Sequence, residues 1–118
     1  MILLKAIVLL FYLMCGHALA DFSLQTEVMA KYKNWNNPSP APPGQTQMPC
    51  WGYWLTAHAL IHGGMVGIIT GYPMLGIAEA CAHWVIDFAK IDGHTNLHQD
   101  QALHLLCKIA WVLVILFP

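Results

Sequence analysis

The sequence predicts an all-α integral membrane protein, an antiparallel four-helix bundle forming a single domain, and three observations carry that expectation. First, 58% of the 118 residues are hydrophobic and only 9% charged, with a mean hydropathy of +0.53. That composition is far from that of a water-soluble domain. Second, four apolar runs, at about residues 2–30, 51–71, 74–91 and 99–117, are each long enough to cross about 30 Å of hydrocarbon as a helix. Third, histidine and aspartate recur four residues apart inside those runs, at His17/Asp21, His58/His62, His83/Asp87 and Asp100/His104. A four-residue step puts two side chains on one helix face, with about 6 Å between their Cβ atoms. Ionisable groups at membrane depth are costly, so they point to function.

The first run, Ile2 to Ala20, is interrupted by Lys5 and His17 only. Lys5, the apolar centre and Ala18-Leu19-Ala20 ahead of Asp21 also match a cleavable secretory leader. A retained helix is expected instead, because cleavage would part His17 from Asp21. The helical pattern continues through Phe22, Leu24, Val28 and Met29, with Gln25 one turn beyond Asp21 on the same face. Residues 31–50 then read as a loop, since five of the seven prolines lie between Asn34 and Pro49. The run Pro38 to Pro43 is expected to be an extended connector. Trp35, Trp51, Tyr53 and Trp54 flank the loop, as in an aromatic belt at headgroup level.

The second run carries His58 and His62, followed by Gly63, Gly64 and Gly67, which allow close helix approach in lipid. Gly71-Tyr72-Pro73 makes a tight reversal. The third run contains Glu79, His83, Asp87 and Lys90, and Gly93 is a helix stop. The last run carries Asp100, Gln101, His104 and Lys108 before the apolar stretch from Ile109.

Five lysines, no arginine and a net charge of -1 leave no basic surface, which excludes nucleic acid as a partner. The lipid bilayer is the expected partner. Four cysteines form no CxxC pair and read as small hydrophobes or bystanders. Lys31, Lys33 and Lys90 lie on the site side against Lys5 and the amino terminus, which orients the site toward the cytoplasm.

Four antiparallel crossings bring all four His/Asp pairs to one end of the bundle, sorted into two layers by a rise of about 1.5 Å per residue. His17, His62, His83 and His104 form the deeper layer; Asp21, His58, Asp87 and Asp100 form the shallower one. These eight residues are the candidate metal ligands. Bundle-core sites built from facing helices are a known solution. Eight donors suit two ions bridged by a carboxylate, and imidazole with carboxylate favours zinc, manganese or iron. Glu79 and Lys108, one turn deeper, are expected to pair, because either alone is an uncompensated charge. Lys90, Gln25, Asn96 and Gln101 lie at the mouth, and His94 and His98 are expected in solvent.

The ordered motifs resemble the small bacterial and phage membrane proteins catalogued as domain of unknown function 3307. The residues that carry the resemblance are His17 with Asp21-Phe22 and Leu24-Gln25, His58-Ala59 with His62, His83 with Ile86-Asp87 and Lys90, and Asp100-Gln101 with His104. The resemblance implies a retained first helix, one four-helix unit and a bacterial inner membrane, and it brings no activity. The polar pattern is also loosely similar to small membrane-bound metal-dependent hydrolases.

The expected function is therefore metal-dependent hydrolysis of a lipid or amphipathic phosphoester. Asp21, Asp87 or Asp100 would be the general base, and Lys90 would stabilise charge on the attacked group. Two other classes compete: a metal-ion or proton transporter acting as a small homo-oligomer, and a phage accessory or lysis protein whose polar core is structural.

Overall fold

The computed structural model describes residues 1–37, 43–44 and 50–118. Among these every regular element is helical: α1 (Ile2–Ala18) running into a π-helical turn (Leu19–Ser23), α2 (Glu27–Tyr32), α3 (Trp51–Thr70), α4 (Pro73–Ile91) and α5 (Leu97–Leu116). The proline-rich run at 38–43 lies, apart from Pro43, outside the described residues.

The first helix is not continuous to residue 30. In the π turn the Leu24 amide donates to the Leu19 carbonyl, five residues back. Such wide turns recur at functional sites. Here the turn keeps Ala20 buried and Phe22 exposed. The chain restarts as a helix because Thr26 Oγ1 accepts the Met29 amide at 3.1 Å, an N-cap that suits threonine. This short α2 carries the chain back over the end of the bundle and delivers Lys33, at its C-cap, to the interior.

The other ends follow from local chemistry. Gly71 caps α3 in the left-handed region at φ 73°, and Pro73 opens α4, where its missing amide hydrogen is not needed. Asn96 and Gln99 form a reciprocal capping box at the start of α5, two residues before the expected onset.

The long helices close a ring, with α3 against α4, α4 against α5, α5 against α1, and α1 against α3. Leu13 meets Val66 and Val112, while His17 meets His62 and His104, so α1 runs antiparallel to both α3 and α5. The α3–α4 contact is the closest, because Gly63, Gly67 and Gly76 face one another. A Cβ at Gly76 would lie 2.6 Å from the Gly63 carbonyl oxygen. Small residues give this closeness, and with it the approach of the histidines that neighbour them.

Two segments, Ile2–Ser23 and Leu97–Leu116, are long and apolar enough to cross a membrane. Helices α3 and α4 match them in length but carry the glycines, histidines and acids that lower their hydropathy. Burial is inverted relative to a water-soluble protein. His58, His62, Glu79, His83, Asp87, Asp100, His104 and Lys108 are each no more than 1% exposed, while Phe11, Leu60, Ile68, Ile77, Val85 and Leu106 face outward.

Candidate metal centre

Each long helix contributes to one polar core. The four deeper histidines, one per long helix, form a ring: His62 to His83 at 3.6 Å between ring centroids, His83 to His104 at 4.1 Å, His104 to His17 at 5.2 Å and His17 to His62 at 5.1 Å. His58 sits one turn above, 4.7 Å from His62 and 5.0 Å from His83. The arrangement follows from four-residue spacing on helices that meet at this level.

Asp21 receives three of these rings. His62 Nε2 lies 3.0 Å and His58 Nε2 3.3 Å from its Oδ1, and His17 Nε2 lies 3.3 Å from its Oδ2. In tetrahedral zinc, with bonds of about 2.0–2.1 Å, neighbouring ligand atoms stand about 3.3 Å apart. Separations of 3.0–3.3 Å around Asp21 fit ligands sharing one ion and are equally those of hydrogen bonds, one of which joins His62 Nε2 to Asp21 Oδ1. Gln101 braces the group: its Nε2 donates to Asp21 Oδ2 at 3.0 Å, and its Oε1 lies 3.1 Å from His17 Nε2. Such outer partners orient ligands and raise metal affinity.

The remaining acids are tied to lysines. Lys33 Nζ donates to Asp87 Oδ2 at 2.5 Å, and Lys90 Nζ spans Asp87 Oδ1 at 3.2 Å and Asp100 Oδ2 at 2.8 Å. One turn below the ring, Lys108 donates to Glu79 Oε1, and the Trp111 indole donates to Glu79 Oε2 at 2.6 Å. The expected Glu79–Lys108 pair is made. Beneath it Leu13, Val66 and Val112 close the core with apolar side chains.

Three sets of donor atoms lie within 4.8 Å of one another: Asp21, His58, His62 and His83; Glu79, His83 and His104; Asp87, Asp100 and His104. Together they include seven of the eight candidate ligands. His17 is outside them, its Nε2 engaged by Gln101. Seven ring nitrogens, namely His17 Nδ1 and both nitrogens of His58, His83 and His104, are buried with no hydrogen-bond partner among the described residues. Buried polar atoms are normally satisfied. Imidazole nitrogens left unpartnered beside carboxylates are the donor types that fit a divalent transition metal.

Elsewhere the expectations sort plainly. His94 is exposed beside Asp92, and His98 is exposed at the start of α5. Gln25 donates to the Asp21 carbonyl rather than to the site. Lys33 was expected in a loop, yet it is 7% exposed and paired with Asp87. Nothing in local periodicity points inward for it. The only signal was a count, because Asp87 and Asp100 together needed more positive charge than Lys90 supplies. Trp111 was also unforeseen, although it lies one helical step, three residues, beyond Lys108. Of the three site-side lysines only Lys31 is exposed, so the lysine asymmetry reduces to Lys31 against Lys5.

No curated protein and no solved structure matches the chain. A family described as "Protein of unknown function (DUF3307)" matches residues 9–117, a span that contains every member of the polar core. The chain therefore belongs to that family.

Proposed function

We propose that the chain is an integral membrane four-helix bundle acting as a metal-dependent hydrolase on a lipid or amphipathic phosphoester at one membrane face. The inverted burial supports the membrane setting: an apolar exterior and a largely buried polar core suit hydrocarbon, not water. The observation that carries the metal is the set Asp21, His58, His62 and His83, whose ligand atoms all lie within 4.8 Å of one another. A divalent ion there supplies Lewis acidity and a water acidic enough to ionise near neutral pH.

The chain's own groups complete the assignment. Asp100 Oδ1 has no hydrogen-bond partner, whereas both Asp87 oxygens are held by lysines, so Asp100 is the proton acceptor. Lys90, whose side chain is 26% exposed, stands at the mouth and meets an anionic headgroup. The site opens toward the end of the bundle from which Lys31 projects. A bacterial inner membrane is part of the same reading.

The transport reading is less well supported, because Leu13, Val66 and Val112 close the core below Glu79 and leave the polar groups continuous with one end only. A purely structural core is also less well supported, because seven buried imidazole nitrogens have no hydrogen-bond partner among the described residues.

The test is release of a water-soluble headgroup or phosphate from liposomes by the purified protein. Product that disappears with a chelator, returns with zinc or manganese, and is absent for His62→Ala is the expected result. No product across anionic and zwitterionic lipids, with metal bound, refutes hydrolysis.

A further inference from the structure

Charge in the core is unevenly compensated. It holds four carboxylates, Asp21, Glu79, Asp87 and Asp100, and three ammonium groups, those of Lys33, Lys90 and Lys108. The other charged side chains, Lys5, Glu27, Lys31 and Asp92, lie at the surface, and residues 38–42 and 45–49 contain none. Glu79, Asp87 and Asp100 each touch a lysine. Asp21 touches none and instead faces three histidines and Gln101. The one core carboxylate without a lysine partner is therefore the one surrounded by imidazoles.

The second acidic cluster is arranged differently. Its metal-capable set is Asp87, Asp100 and His104, yet the Lys90 ammonium already lies between the two carboxylates, at 3.2 Å and 2.8 Å. Lys33 adds a second ammonium 2.5 Å from Asp87. An ion placed there would have to displace Lys90. With both lysines retained, a second divalent ion would leave the enclosed core strongly positive, which a low-dielectric interior disfavours.

We propose that the centre binds a single divalent ion, at Asp21 with His58, His62 and His83, and that Lys90 is a tethered cation standing where a two-metal hydrolase would hold its second ion. This rests on the metal reading above and refines it. The tethered ammonium supplies the second positive charge over the attacked group without a second loading step, and its partial exposure lets it follow an anionic substrate. Lys33 keeps Asp87 compensated when Lys90 moves.

The experiment is metal stoichiometry of the full-length, detergent-solubilised chain after equilibrium dialysis against zinc, read by elemental analysis. Wild type binds one equivalent, Asp21→Asn loses it, and Asp100→Asn keeps it while losing hydrolysis. Lys90→Met frees the second set of ligands and binds two equivalents. Two equivalents in wild type, or a fall from two to one in Asp100→Asn, overturns the single-ion assignment while leaving the metal reading intact. A folded Lys90→Met that still binds one equivalent overturns the role given to Lys90. No zinc in wild type refutes the metal reading itself, and this proposal with it. Should Lys90→Met fail to fold, the Asp100→Asn comparison decides alone.

Discussion

Replacing Lys108 with methionine removes the ammonium while keeping most of the side-chain volume. Glu79, fully buried, would be left with the Trp111 indole as its one donor. Breaking a buried pair from one side costs about 3–5 kcal/mol, because the surviving charge has nowhere to be solvated. At about 1.4 kcal/mol per decade, a loss of about 3 kcal/mol is a hundredfold change in the unfolding equilibrium. Glu79→Gln orphans the lysine and is expected to cost a similar amount. The double variant Glu79→Gln/Lys108→Met leaves no charge at this level, so it should cost about 3 kcal/mol or less rather than the sum of about 6 kcal/mol. Equilibrium unfolding in mixed detergent micelles, followed by circular dichroism, measures all three. Single variants within about 1 kcal/mol of wild type, or strict additivity in the double, would refute the claim that this pair is a coupled, desolvated unit.

Two further outcomes follow from the packing. Gly63→Ala drives a methyl group against the Gly76 carbonyl oxygen and to 2.8 Å from Ala80 Cβ, and should cost about 1–3 kcal/mol in the same assay and loosen metal binding at His62. Gly64→Ala meets nothing within 4 Å and should be neutral or stabilising by up to about 1 kcal/mol. Lys33→Met should destabilise by about 1–3 kcal/mol, since Asp87 keeps Lys90 but loses its shorter partner, whereas exposed Lys31→Met should stay within about 0.5 kcal/mol.

Much of the polar core was legible because helical periodicity is a local property. A histidine four residues from an aspartate shares its face whatever the rest of the chain does, and long helices of alternating direction then bring the faces to one level. The layer assignments of His17, His62, His83 and His104 came from rise per residue alone, and the ring distances agree with them. The break after Ser23 was not legible, because Leu24, Val28 and Met29 continue an apolar helical pattern. A π turn and a threonine cap decide that break through backbone hydrogen bonds that hydropathy does not register.

By itself the sequence determined the helical class, the apolar exterior, and which ionisable side chains share a face, since each of these depends on spacing of a few residues and on composition. The tertiary structure alone decided which carboxylate meets which cation. Lys33 reaches Asp87 across 54 residues of chain, Gln101 reaches His17 across 84, and Asp21 is left to the histidines. Those partnerships depend on helix rotation and on the close approach of α3 to α4 at Gly63 and Gly76, quantities set by packing between elements rather than by the pattern within any one of them.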